Sequence, residues 1–416
     1  MSEQQRLEST TPTGQGPRQR SGVAAILEAA TSWSLIPILA VLTGFIISAI
    51  FIVVTDPAVW AAWDEITTRP GFFFATAWRS VATAFGALFQ GAFGSPYALS
   101  ESLVTSTPYI FAGLAVAVGF RAGLFNIGAE GQLFMGALAS VYVGYAVTGL
   151  PAFIHLPLAI LAGMAAGAIW AGIPGWLKAR TGAHEVVNTI MLNYIAYRLS
   201  DWLLNGPMKR PGPDGRPGWV PITPEVLPTA WLPRFFDEPL RLHWGFVLAL
   251  LAAVGVWYLL FRTNFGFEMR SVGTNPKAAR VAGMRVALVT VAAMAISGAL
   301  AAMAGVSQTL GVDRWLGQGF SAGYGFDSIA LALLGKSHPA GVVAAALLFG
   351  FLRSGATRMQ SAAGIPIDII TIVQALVIIF IAAVQPLSRL VIGTGIGNDA
   401  LVFALSIAAS FAIARI

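Results

Sequence analysis

The 416-residue chain is 56% hydrophobic and only 11% charged. A soluble domain carries about a quarter charged residues, so the length here counts membrane crossings and not soluble domains. The net charge of +6 comes from basic residues that fall mostly between apolar segments, which makes them topology signals and excludes a nucleic-acid footprint. With no cysteine and four dispersed histidines, disulfide frameworks, thiol catalysis and a histidine metal site are excluded too.

Residues 1–30 are polar, carry Arg6, Arg18 and Arg20, and are not followed by a short apolar core with a cleavage site. They read as a disordered cytoplasmic tail. A membrane-embedded region is expected over 31–395, and its first crossing is 34–54. Pro70–Phe93 contains Arg79 beside Phe72, Phe73, Phe74 and Trp78, a mixed face that suits a helix lying at the outer interface. A crossing over 103–120 follows and ends at Arg121. From 133 to 177 there is no charged residue, too long a run for one helix, and Gly149-Leu150-Pro151 divides it in two. Gly163, Gly167, Ala171 and Gly175 recur every four residues in the second of these helices, so that face is expected to receive another helix backbone.

The next crossing, 186–204, contains Asn188, Asn193 and Tyr194. Residues 205–241 hold nine of the chain's 23 prolines and read as an irregular external loop. After a crossing at 244–261, the 262–285 segment sets Arg262, Arg270, Lys277, Arg280 and Arg285 against Glu268 alone, which places it in the cytoplasm. Further crossings are expected at 286–310, 320–334, 341–352 with its flanks, and 367–384. The fold class is therefore all-α integral membrane, with about ten helices and both termini cytoplasmic if the last segment ends at Arg389. Residues 401–414, within the apolar 396–416 segment, are short for a span and are left as either an eleventh helix or an interfacial one.

Between Arg121 and Leu133 the apolar pattern is broken by Arg-Ala-Gly-Leu-Phe-Asn126-Ile-Gly128-Ala-Glu130-Gly131-Gln132. Amide and acid groups at membrane depth mark unwound backbone that lines a polar cavity. The alternative is a short polar turn in the cytoplasm. Gly335-Lys336-Ser337 ends like a phosphate-binding loop, but Ala330 stands where that loop requires glycine and His338-Pro339 follow where a helix should open. The chain therefore carries no ATPase motif. In the basic loop, Asn275 is placed to cap a helix that begins at Pro276. Such a helix is either a docking surface for a soluble partner or a charged connector.

The string Gly123-Leu-Phe-Asn126-Ile-Gly128-Ala-Glu130-Gly131-Gln132 resembles the signature of permease subunits of bacterial ABC importers. The class is the one for nucleosides and simple sugars, related to the ribose and branched-chain amino-acid permeases. Three further stretches are similar to the same class: 184–194, 270–280 and 325–335. In order, the likeness covers roughly 95–385. It implies a substrate pathway at Asn126, Glu130, Gln132, Asn188, Asn193 and Tyr194, with Phe326 and Asp327 at a second break. It implies contact with the ATPase through Arg270, Gly273, Asn275, Pro276, Ala279, Arg280 and Gly283. Departures are His184, the proline-rich loop and the apolar tail after Asp399.

What the resemblance implies is an inner-membrane permease without its own catalytic site, metal or bound cofactor. Its partners would be a cytoplasmic ABC ATPase that uses ATP, a second permease subunit in a heterodimer, and an external solute-binding lipoprotein or periplasmic protein. A nucleoside is the first expectation for the solute, since Asn, Gln and Glu address ribose hydroxyls and base edges while aromatic rings stack on the base. A simple sugar is the alternative. Other classes are an ion-coupled secondary transporter with Glu130 and Asp327 as carriers, and a membrane enzyme or scaffold, for which no reactive constellation is present.

Overall fold

The computed structural model describes residues 41–212, 218–364, 370–372 and 375. The expected tail (1–30), most of the 367–384 crossing and the 396–416 segment lie outside the described residues. Thirteen α-helices are set out along the described residues: α1 (Val41–Thr55), α2 (Pro57–Trp63), α3 (Pro70–Phe93), α4 (Pro96–Arg121), α5 (Ala129–Ala146), α6 (Ala152–Thr181), α7 (Glu185–Asn205), α8 (Gly245–Arg262), α9 (Asn264–Thr274), α10 (Pro276–Val281), α11 (Val286–Gln308), α12 (Tyr324–Leu334) and α13 (Pro339–Ala363). Proline at the first turn opens α2, α3, α4, α10 and α13, where its missing N–H has no helical partner to lose.

Six helices are long and apolar enough to cross a membrane, and a seventh arises if α1 and α2, bent by 70°, form one broken span. The expected count of ten is not reached among the described residues, for identifiable reasons. The 320–334 crossing is shortened, because helix begins only at Tyr324 and the resulting 11 residues reach about 16 Å, half the bilayer core. Helices α5 and α7 have 18 and 21 residues but carry the polar groups singled out above, which lowers their hydropathy below that of a lipid-facing span. Pro70–Phe93 departs from the interfacial expectation in the other direction. It is one unbroken 24-residue helix whose length and hydropathy place it with the six spans.

Helix α4 is the buried axis. Nearly every residue from Ser100 to Gly119 is inaccessible, and the helix contacts α11, α12 and α13. The small-residue stripe of α6 lies against α11: a Cβ on Gly167 would collide with the Gly298 carbonyl, and one on Gly298 with the Gly167 carbonyl. Gly175 meets Met294 in the same seam. Dispersion between backbones at this separation replaces the hydrophobic drive that lipid removes.

The two ends of the bundle differ. Arg121, Lys178, Arg270 and Lys336 gather at one, called the basic end. At the far end the proline-rich segment is irregular, as expected, yet tied down. Thr223 N–H donates to Leu316 O (2.9 Å), Val226 N–H to Arg314 O (2.8 Å) and Leu232 N–H to Leu310 O (3.0 Å). Arg241 holds Glu101 through two hydrogen bonds, and Arg314 lies 3.7 Å over the Trp231 ring.

Candidate functional site

The polar break after α4 folds as a compact loop whose amides bond to one another. Asn126 Nδ2 donates to Gln132 Oε1 and to Ser297 Oγ, both at 2.9 Å, while Gln132 Nε2 donates back to Asn126 Oδ1 at 3.0 Å. Asn126 Oδ1 also accepts the Gly128 N–H, and Ser297 donates to the Ala115 carbonyl. From α7, Asn193 accepts the Gly131 N–H at 2.8 Å and donates to the Ile127 carbonyl at 3.0 Å. All three amides are buried and use both ends of the group. They clamp the loop between α11 and α7.

Glu130, in the first turn of α5, is buried as well, and its Oε2 accepts the Gly325 N–H at 2.6 Å. Gly325 lies in the first turn of α12, so a carboxylate sits where the helix leaves N–H groups unsatisfied and its dipole is positive. A Cβ on Gly325 would strike the Glu130 backbone, which is why this close approach requires glycine.

Glu130 also lines a cleft of about 400 Å³. Phe134 on α5, Tyr197 and Asp201 on α7, Ser321 in the segment before α12, and Phe326 on α12 complete its walls, with Gly319 and Gly323. Phe134 is edge-to-face with Tyr197 at 5.0 Å and with Phe320 at 4.8 Å. Phe326 is 45% exposed. The cleft thus joins aromatic faces to carboxylates in a concave site, the chemistry that binds a small polar ring compound.

Among the expected pathway residues, Asn126, Gln132 and Asn193 come together in the clamp, and Glu130 and Phe326 in the cleft. Asp327 turns to α4, where Tyr109 Oη donates to its Oδ2 at 2.9 Å. Tyr194 is exposed and does not line the cleft, and half-buried Asn188 has a buried Nδ2 without a hydrogen-bond partner. Phe134, Tyr197, Asp201 and Ser321 escaped the sequence reading. A signal was present for the first three: Phe134 stands one turn after Glu130, and Tyr197 and Asp201 extend the Asn193 stripe by four and eight residues. Among the described residues, no group of three or more His, Asp or Glu is arranged to hold a metal ion.

At the basic end, Asn275 caps α10 by accepting the Lys277 and Ala278 N–H groups at 3.0 and 3.1 Å, with Pro276 in the first turn. Ala279 is buried beneath the helix, Arg280 is exposed, and Gly283 ends the segment with φ +83°. Arg270 lies 5.3 Å over the Phe261 ring, and Arg121 lies 5.6 Å from the same ring. Phe267, Arg270, Thr274, Asn275 and Ala278 line a groove of about 410 Å³ between α9 and α10. Gly273 rests against the backbone of Arg121, Ala122 and Gly123.

A bundle of apolar helices around a polar loop, with a basic segment at one end, is the build of a multi-pass integral membrane protein of the bacterial inner membrane. Residues 98–382 match the family described as the permease component of the branched-chain amino acid transport system, and the chain belongs to that family. It is 44% identical over 305 residues to a guanosine ABC transporter permease protein of Bacillus subtilis, covering 73% of this chain and 86% of the relative. A glucose ABC transporter permease protein of Haloferax volcanii is 38% identical over 76% of this chain and 85% of its own. A nucleoside ABC transporter permease protein of Lactococcus lactis is 32% identical over 84% and 90%. No solved structure matches.

Proposed function

We propose that this chain is one of two membrane-spanning subunits of an ATP-driven importer and that its solute is a nucleoside. The observation that carries the solute class is the cleft, where Phe134, Tyr197 and Phe326 offer ring faces beside the carboxylates of Glu130 and Asp201. Nucleosides present a flat base and a hydroxylated sugar, and these walls address both. The guanosine and nucleoside permeases among the relatives support the same reading.

The mechanism follows from the two ends of the molecule. The basic end faces the cytoplasm, and α10 with the groove beside it receives a separate ABC ATPase, the subunit that uses ATP. A second permease covers the exposed flank of α7, including Tyr194, so that the route for solute runs between the two chains. An external solute-binding protein delivers cargo at the far end. Closure of the ATPase pair displaces α9 and α10. Gly273 carries that displacement to the loop at Gly123, the amide clamp moves as a unit, and Glu130 shifts the start of α12 at the cleft. Packed, fully bonded elements transmit a small shift because they do not deform continuously.

A sugar is the second reading, supported by the glucose permease among the relatives. The test is uptake of labelled guanosine and of labelled glucose by cells with and without the chain. Loss of guanosine uptake alone supports the first reading. Loss of glucose uptake alone replaces it with the second, and loss of neither removes both.

A further inference from the structure

We propose that Asp201 is the specificity-determining residue of the cleft and that it reads a pair of adjacent hydroxyl groups on the solute. The inference rests on the transport reading above and deepens it. Of the two carboxylates in the cleft, Glu130 is 3% exposed and spends Oε2 on the Gly325 N–H. That oxygen is committed to the start of α12. Asp201 differs: its side chain is 42% exposed, and only Oδ1 is held closely, by Gln318 Nε2 at 2.9 Å. Oδ2 stands 3.7 Å from Arg198 Nη1, whose own side chain is 88% exposed, so the guanidinium is solvated and the pair is weak.

An ionised carboxylate accepts and does not donate, and its two oxygens match two neighbouring O–H donors. A cis pair of ribose hydroxyls meets that demand. Tyr197, one turn before Asp201 on α7, also lines the cleft, with Phe134 packed against it. A sugar bound at Asp201 therefore places an attached base toward the aromatic walls. The chemistry is shared by ribonucleosides and by simple sugars, and the experiment separates them.

The importer is reconstituted with its ATPase and second permease, with the solute-binding protein saturated, so that maximal rates report the permease and not receptor affinity. Rates are measured for guanosine and 2′-deoxyguanosine, and for glucose and 2-deoxyglucose. Wild type is expected to move guanosine at least about tenfold faster than its deoxy analogue, the range available to a site that loses a hydrogen-bond partner. Asp201→Ala abolishes that preference by slowing guanosine while leaving 2′-deoxyguanosine within about twofold. Asp201→Asn, which keeps the acceptor for Gln318, falls between. Gln318→Ala breaks the tie to α7 and keeps the carboxylate, so the preference survives.

A ratio unchanged in both Asp201 variants overturns the proposal, as does Gln318→Ala reproducing Asp201→Ala, which makes the residue a mere strut. If the preference and its loss occur with the glucose pair and not the guanosine pair, the hydroxyl-reading role stands and the solute is a sugar. Transport of none of the four by wild type defeats the transport reading itself, a result distinct from an unaltered ratio.

Discussion

Gly123 and Gly273 meet backbone to backbone, and a methyl group on Gly123 would lie 2.8 Å from Gly273 Cα. Gly123 also has φ +69°, a region that side-chain-bearing residues avoid, so both the turn and the contact require glycine there. This joins the α9–α10 segment directly to the loop that carries Asn126 and leads into Glu130 on α5. In a reconstituted importer, Gly273→Ala is expected to lower solute uptake at least about tenfold while the ATPase still co-purifies. Unchanged uptake with a folded protein would mean that force reaches the cleft by another route.

Arg280 is exposed on α10, whereas Ala279 is buried beneath it. A charge reversal at Arg280 alters the outward face without disturbing the packed one. Arg280→Glu is expected to reduce recovery of the ATPase in pull-downs, with membrane insertion and binding of the solute receptor intact. Full recovery of the ATPase would remove α10 as the docking element.

Glu130→Ala takes the acceptor from the Gly325 N–H and leaves a buried donor unsatisfied, a loss of about 1–3 kcal/mol in such settings. Uptake is expected to fall with the ATPase still bound. Glu130→Gln retains an acceptor at that position and is expected to restore part of the activity. Equal uptake by wild type and both variants would leave Glu130 without a part in transport.

Burial, with Arg234 and Arg241 nearby, pushes the His243 imidazole down from its ordinary 6.5 to about 4. Its Nδ1 accepts the Gly245 N–H, a bond that protonation destroys. Between those values the unfolded chain binds more protons than the folded one, so stability is lost as pH falls from 6.5 towards 4. The loss reaches roughly 3 kcal/mol at the lower limit. Hydrogen exchange of the 218–244 segment, followed against pH, should show protection declining over that window, and His243→Gln should flatten the profile. A decline of equal size in the variant would assign it to other groups.

Much of this architecture was legible from the residues. The break at Gly149-Leu150-Pro151, the glycine stripe of α6 and the Asn275-Pro276 start of α10 each rest on a local rule that tertiary packing did not override. The class followed from composition and from the Gly123 to Gln132 string. The cleft was harder to read, because its walls come from three helices and the intervening segment, and their meeting depends on where α12 begins. Tyr194 drew notice by standing next to Asn193, yet adjacent residues on a helix point about 100° apart, and Tyr197 is the one that shares the cleft. The amides of Asn126, Gln132 and Asn193 stand out in the sequence as polar groups in an apolar run, but spacing does not reveal that the first two bond to each other and the third to the backbone of the same loop. Arg79 and its aromatic neighbours suggest a surface helix, whereas the 24 residues form one unbroken helix long and apolar enough to cross.

The most direct measurement is guanosine uptake into vesicles that contain this chain, its sister permease and the ATPase, with liganded solute-binding protein added and ATP supplied or withheld. Uptake that requires ATP and stops when the ATPase is omitted is the predicted result. Uptake by this chain alone, driven by an ion gradient and indifferent to ATP, would contradict the account.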